Sequence, residues 1–306
     1  MATQAMYRPE NIGDWSAPRA APGGAYGTRT LTMPDGAEIF YRYWQAADST
    51  APALVFLHGL GAHTGWFIDL GNALNALGLT VYMDDHRGFG RSGGPRGHVR
   101  DFAVYPRDID ALLTEIQKQQ PGRPLHLMGH SMGGIFATYA AAEDARSGRD
   151  RLAGLILINP WIKDTVKVRP GLLLAGMVGG LTSSPKLLML PPNVAGMTLN
   201  AEAATLLDAD TYWVRNQSRA FLYQIGVRMR GAVLKQARAV RAPALVIQCE
   251  GDTTVQQAAT HACYDALGSA DKTWKTYPNF AHDFEFEPGR AVLDHDLADW
   301  IVRHRG

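Results

Sequence analysis

The stretch Leu125–Gly134 reads LHLMGHSMGG. An apolar run of strand character enters a glycine, passes through His130, Ser131 and Met132, and leaves through two more glycines. Glycine at such a place sacrifices conformational entropy and packs nothing, so the backbone must need the space. Gly129 and Gly133 stand two residues before and two after Ser131. In a sharp strand-to-helix turn a Cβ at either position collides across the turn, and the serine hydroxyl is pushed clear of the sheet edge. The helix that follows directs free N–H groups and its positive end at whatever the hydroxyl attacks.

Outward from this turn, short continuous apolar runs alternate with helical patterns. ALVFLH (Ala53–His58), TVYMDD (Thr80–Asp85), LHLMG (Leu125–Gly129), GLILINP (Gly154–Pro160), ALVIQC (Ala244–Cys249) and TWKTYP (Thr273–Pro278) read as strands. Between them, 67–77, Ile109–Gln117, Ile135–Asp144, 258–267 and 292–304 have helical spacing. A hairpin is expected around Pro34-Asp35-Gly36. Strands apolar on both faces and separated by helices predict a mainly parallel sheet covered on each side, an α/β class. From Trp161 to about Arg241 no strand pattern appears, and about eighty residues exceed any ordinary connection. The expected organisation is a loosely held arm over 1–24, a core built from 25–160 and 242–306, and a helical cap inserted over 161–241.

A serine nucleophile needs a base, and the base needs an orienting acid. On such a sheet the acid follows a late strand and the histidine comes last. After ALVIQC the chain reads EGDTTV, which makes Asp252 the expected acid and Glu250 its rival. After TWKTYP it reads NFAHDF, so His282 is the expected base. Asp283, its neighbour, is expected to be a solvated or capping residue. Two backbone N–H groups are expected to receive the developing oxyanion: Met132, after the nucleophile, and Leu60, in the His58-Gly59-Leu60-Gly61 turn.

The remaining composition narrows the class. With 30 basic and 29 acidic residues, no charge excess argues for nucleic acid or an acidic membrane as partner. Two cysteines, Cys249 and Cys263, make no disulfide framework and fit a reducing compartment. The N-terminus lacks a secretory pattern, so a cytoplasmic protein is expected. The ten histidines show no metal-ligand spacing, and no metal is expected. Asp85, Arg87 and Arg91 are expected to form one buried polar network bracing their loop, and Cys249 to be a small buried side chain.

His58-Gly59-Leu60-Gly61, Gly129-His130-Ser131-Met132-Gly133-Gly134 and the block DHRGFGRSGGPRGHVRDFAVYPRDI (Asp85–Ile109) together resemble α/β-hydrolases of the monoacylglycerol lipase and lysophospholipase type, the serine aminopeptidase S33 group. The resemblance implies an eight-stranded sheet, a cap after the sixth strand, no cofactor, and hydrolysis of acyl esters. By it Ser131, Asp252 and His282 map to nucleophile, acid and base, and Leu60 and Met132 to the oxyanion donors. The family pattern H-G-x-G-E-x-x-G-R-Y here carries Ala62 for Glu, Trp66 for Arg and Phe67 for Tyr, and Cys249 replaces a glycine before the acid. Polar groups beside the oxyanion turn are thereby lost, which admits a larger, more apolar or aromatic ester than a glycerol ester. Gly59, His130, Trp66, Trp161, Leu174 and Met177 are candidates for contact with the substrate. The apolar residues of 161–241 form the core of the cap, share in an acyl pocket, or touch lipid aggregates. Thioester or small-amide hydrolysis on the same residues, or a non-catalytic small-molecule receptor, are the alternatives.

Overall fold

The computed structural model describes residues 26–165, 171, 177–180, 182, 184–189 and 194–305. The expected arm over 1–24 and Leu174 lie outside them, as do Leu172, Leu173 and Leu190.

Strands β1 (Gly27–Thr32) and β2 (Glu38–Trp44) form the expected hairpin, with Gly36 at φ +82° in its turn. They join β3 (Ala53–Leu57), β4 (Thr80–Asp84), β5 (Leu125–His130), β6 (Leu152–Ile158), β9 (Ala244–Cys249) and β10 (Lys272–Tyr277) in one eight-stranded sheet. Its order is β1-β2-β4-β3-β5-β6-β9-β10. Only the pairings of β2 are antiparallel; every other neighbour runs parallel. After β3 the chain steps to one side for β4 and then crosses to the other side for β5. This reversal opens a crevice beyond the carboxyl ends of β3 and β5, where open α/β sheets receive ligands.

The period-2 alternation of the strands divides the core into two layers. Val55, Leu57, Leu127, Leu155, Leu157 and Val246 face α2 (Val104–Gln119) and α3 (Met132–Arg146). Leu54, Phe56, Val81, Met128, Ile156 and Ile247 face α1 (Ile68–Ala76) and the C-terminal helix Ala291–Arg303. Burying each such side chain contributes about 1.5–3 kcal/mol, which explains why these runs carry no polar face. Helix α2 begins at Val104, earlier than Ile109, because Pro106 sits in its first turn, where no intrahelical N–H is required. Helix α3 starts at Met132 and takes Gly133 and Gly134 into its first turn, while Gly129 remains in β5.

Between β6 and β9 the chain contains strand, contrary to the expectation of helix alone. Residues Leu187–Met189 (β7) and Asn216–Ser218 (β8) pair antiparallel. Three-residue strands are too short to carry a period. Helices α4 (Val194–Met197), α5 (Ala201–Ala209) and α6 (Arg219–Tyr223) accompany them, and α6 continues through a π-helical turn, Gln224–Met229, into α7 (Arg230–Ala237). Helices Gln257–Ala266 (α8) and Ala291–Arg303 (α9) complete the layers. No described helix is long and apolar enough to cross a membrane.

The expected single network of Asp85, Arg87 and Arg91 is two separate devices. Asp85 is fully buried at the end of β4 and accepts the Thr64 and Arg91 backbone N–H groups at 2.6 and 2.7 Å. Arg87 turns away and forks onto Asp108 at 2.7 and 2.8 Å, with Asp35 beyond. The Arg91 guanidinium is exposed and lies over the Phe40 ring. Of these three residues, only Asp85 ties the end of β4 to the turn after β3. Asp85→Ala is expected to cost about 3 kcal/mol, because it orphans two amides, whereas Arg91→Ala costs less than about 1 kcal/mol. Urea unfolding of the two variants checks this; equal losses would mean a joint network after all.

Candidate active site

Ser131 occupies the turn between β5 and α3 at φ 55°, ψ −115°, a sparsely populated conformation that costs about 1–3 kcal/mol. Its neighbours enforce it. A Cβ on Gly129 would lie 2.2 Å from the Gly133 carbonyl oxygen, and one on Gly133 would lie 2.1 Å from the Leu57 oxygen. Only glycine allows α3 to press this closely on the ends of β3 and β5. The Ser131 N–H donates to the Ile158 carbonyl at 3.0 Å, and its own carbonyl accepts from the N–H groups of Gly134 and Trp161 at 3.0 and 2.9 Å. The elbow is thus hydrogen-bonded to the end of β6 and to the residue that opens the segment beyond it.

Three loops at the carboxyl edge bring Ser131, His282 and Asp252 together. The His282 Nε2 lies 2.9 Å from the Ser131 Oγ, and its Nδ1 lies 2.7 Å from the Asp252 Oδ2. The other carboxylate oxygen of Asp252, Oδ1, accepts the N–H groups of Thr254 and Val255 at 2.7 and 3.1 Å. Glu250, the rival acid, is exposed. Burial disfavours the ionised form of Asp252, but the His282 charge, its hydrogen bond and the two amides outweigh burial and hold the carboxyl below its usual range. Burial likewise opposes charge on His282; Asp252, by charge and hydrogen bond, overrides it and raises the imidazole above its ordinary value. A hydroxyl with a poised imidazole and a fixed carboxylate behind it can be deprotonated as it attacks a carbonyl carbon.

The turn after β3 lies against this hydroxyl: a Cβ on Gly59 would stand 3.3 Å from the Ser131 Cβ. Its peptide planes are set by two buried histidines. His86 donates its backbone N–H to the His58 Nε2 at 3.1 Å, so the proton of the His58 ring sits on Nδ1, which donates to the Gly59 carbonyl at 2.8 Å. Burial, and then the neighbouring His86, keep His58 well below the usual imidazole range and hence neutral. With the Gly59 carbonyl fixed on one side of a trans peptide, the Leu60 N–H points to the other. Among the described residues neither the Leu60 nor the Met132 amide has a protein acceptor. The His58–His86 pairing was not anticipated from the sequence. Its signal is Asp84, which pairs with the His86 Nδ1 at 2.8 Å, but the motif places that acid beside Asp85 and hides it.

The other sequence candidates fall in varied places. His130 is fully buried, and its Nε2–H donates to the His282 carbonyl at 2.9 Å; burial, and then the nearby His282, push its imidazole down to about 3. Trp66 is buried with its indole N–H on the Asp210 carboxylate at 2.5 Å, where His63 also binds at 2.7 Å. Asp210 lies just past α5, so these bonds fasten the segment between β6 and β9 to the turn after β3. Trp161 donates its indole N–H to Asp164 beneath the Arg230 guanidinium. Met177 is about half exposed, at 49%. Cys249 is buried, as expected.

Asp283 corrects the expectation of a solvated or capping residue. It is 4% exposed, its side chain caps no helix, and its Oδ2 has no hydrogen-bond partner among the described residues. Its N–H is bound to the Met197 carbonyl at 2.7 Å, which brings α4 over the loop and shuts water out. That burial, resisted by the His282 charge, drives its carboxyl up to about 7. His130, His282 and Asp283 offer ligand atoms within 4.8 Å of one another. Both nitrogens of His282 and the Nε2 of His130 are already committed to Asp252, Ser131 and the His282 carbonyl. This donor set does not fit a metal ion without dismantling the hydrogen bonds just described.

A family model described as "Serine aminopeptidase, S33" matches residues 48–289. Human monoglyceride lipase is 33% identical over 279 residues, covering 89% of each protein. The monoacylglycerol lipase of Mycolicibacterium smegmatis is 28% identical, covering 88% of this chain and 94% of that protein. Among solved structures, a soluble variant of the Saccharomyces cerevisiae monoglyceride lipase shares the fold at a TM-score of 0.80 with 22% identity, over 94% of this chain and 98% of that one. On the extent of the family match and of the human relative, the chain belongs to the serine aminopeptidase S33 family of α/β-hydrolases and is a carboxylic ester hydrolase.

Proposed function

We propose that this hydrolase cleaves single-chain acyl esters of the monoacylglycerol or lysophospholipid type through an acyl-enzyme on Ser131. The observation that carries the reading is the unbroken hydrogen-bonded line from Asp252 through His282 to the Ser131 hydroxyl. Ser131 attacks the acyl carbonyl while His282 takes its proton, and Asp252 holds the ring and stabilises the imidazolium. The N–H groups of Leu60 and Met132 receive the oxyanion. His282 then returns the proton to the departing alcohol, and water repeats the sequence on the acyl-enzyme.

The substrate class is supported by the monoglyceride lipases among the relatives and by a Bacillus subtilis relative named a phospholipase. Residues 161–241 act in this reading as a cap over the crevice. Its exposed Met177, Val178 and Leu199 suit passing contact with lipid aggregates, and the buried thiols of Cys249 and Cys263 suit the cytoplasm. Ala62, Trp66 and Phe67, standing where the family pattern has Glu, Arg and Tyr, favour an acyl or aryl portion richer in apolar surface. A rate panel of monoacylglycerols of rising chain length, lysophospholipids, aryl esters, thioesters and amino-acid amides tests this. The expected ranking puts the single-chain esters first; preference for thioesters or amides would reassign the substrate.

Ser131→Ala is expected to lower ester turnover by about 10⁵-fold with the fold intact, and to abolish labelling by a fluorophosphonate probe. Retained turnover would remove Ser131 from its role.

The reaction requires His282 unprotonated in the free enzyme. Because Asp252 raises its imidazole, activity is expected to fall, as pH drops, at a value above the ~6.5 of an ordinary imidazole. In Asp252→Asn that support is lost: the limb of kcat/KM moves to lower pH, and kcat falls about 10⁴-fold. A pH profile of both enzymes decides it; a limb that does not move, or a larger loss in Glu250→Gln, would displace Asp252 as the acid.

A further inference from the structure

We infer that Asn159 is a positioning residue, which fixes the base loop relative to the acid strand through one buried carboxamide. The inference rests on the Ser131–His282–Asp252 reading above and adds to it a residue that touches none of the reacting atoms.

Asn159 follows directly on β6. It is fully buried and sits at φ 43°, a left-handed conformation that asparagine tolerates better than most residues. Its backbone N–H donates to the Ile247 carbonyl of β9 at 3.0 Å. Its side-chain Oδ1 accepts the Cys249 N–H at 2.8 Å, and its Nδ2 donates to the His282 carbonyl at 2.8 Å. One amide therefore spans from the last residue of the acid strand to the backbone of the base. The partners fix its orientation: exchanging oxygen and nitrogen would set donor against donor at Cys249 and acceptor against acceptor at His282.

The Asp252 N–H donates to the Cys249 carbonyl at 3.2 Å. The same residue whose amide Asn159 holds thus starts the turn that carries the acid. At the other end, the His282 carbonyl accepts a second donor, the His130 Nε2–H, at 2.9 Å. His130 immediately precedes Ser131. Donors from the ends of β5 and β6 converge on one carbonyl oxygen, which belongs to the base, and the end of β9 is linked to it through the Asn159 carboxamide.

The His282 ring has already turned both nitrogens to other partners, so only its backbone remains to be gripped. A carbonyl held by two buried donors cannot rotate without leaving them unpaired. With that peptide plane fixed, the direction in which the Cα carries the ring is fixed too. Without Asn159 the His282 carbonyl is held by His130 alone, and the 2.7 and 2.9 Å contacts of the ring become intermittent. An error of about 1 Å in such a geometry costs about 100-fold in turnover.

The test uses Asn159→Ala and the near-isosteric Asn159→Asp, which keeps an acceptor for Cys249 but sets oxygen against the His282 carbonyl. Steady-state kinetics on a p-nitrophenyl ester are normalised to folded enzyme, and the melting temperature of each variant is recorded. The expected result is a fall in kcat of about 100-fold in both variants, with KM changed less than about threefold. A lowered melting temperature with wild-type kcat per folded enzyme would make Asn159 merely structural and overturn the inference, as would wild-type kcat in either folded variant. Should neither fold, His130→Phe, which removes the other donor on the same carbonyl, replaces them under the same criteria. Ser131→Ala run alongside separates the two readings. If it turns over ester, the triad reading fails; if it is inactive while the Asn159 variants work normally, only the role of Asn159 fails.

Discussion

The contact on which the site depends is steric: the first turn of α3 lies so close to the end of β3 that a Cβ on Gly133 would stand 2.1 Å from a backbone oxygen. This approach forces Ser131 into its positive φ and lifts its hydroxyl beyond the sheet edge. The backbone strain of about 1–3 kcal/mol is offset by the packing of α3 over β5 and β6, whose inward residues are almost all fully buried. A sheet with two dry faces is thus a requirement of the chemistry. A loosely packed helix would relax the elbow and lower the serine into the backbone.

Around that point the fold arranges polar groups so that none can adapt. The Gly59 carbonyl is tied to the His58 ring, His58 to the His86 amide, and His86 to Asp84. Asp85 ties the same turn to β4 through Thr64, and Asp210 ties it to the segment beyond β6 through His63 and Trp66. Groups aimed before reaction need no rearrangement while charge develops, which is the greater part of what a protein site offers over water.

Much of this was legible in the sequence, for physical reasons that also mark where legibility ended. Strands buried on both faces announce themselves by unbroken apolar runs, and ALVIQC was read to the residue. The glycines around Ser131 are visible because a close backbone approach admits no other side chain. Asp252 and His282 were accessible through their positions after late strands. What was hidden depends on partners distant in the chain. Asn159 reads as an ordinary strand-end residue until β9 and the base loop are folded against it. Asp283 reads as solvent-facing because its burial is imposed by Met197, nearly ninety positions earlier. Arg87 and Asp85 are near neighbours in sequence, yet their side chains serve opposite sides of the loop.

The two aspartates beside the base show how surroundings divide one residue type. Asp252 and Asp283 are both shielded from water, and burial alone would leave both protonated. Asp252 receives two backbone amides and the imidazole on its two oxygens, so its charge is dispersed and it remains ionised. Asp283 receives no comparable donors; burial, and then the like charges of Asp252 and Glu287, raise its carboxyl to about 7 against the pull of His282. The more Asp283 resists ionisation, the less it stabilises the imidazolium of His282 from a second side, and the more readily the ring surrenders its proton to the leaving alcohol. The loop therefore needs an acid on one side of the base that stays charged and one on the other that resists charge. The hydrogen-bond donors supplied to each, more than the residue itself, decide which is which.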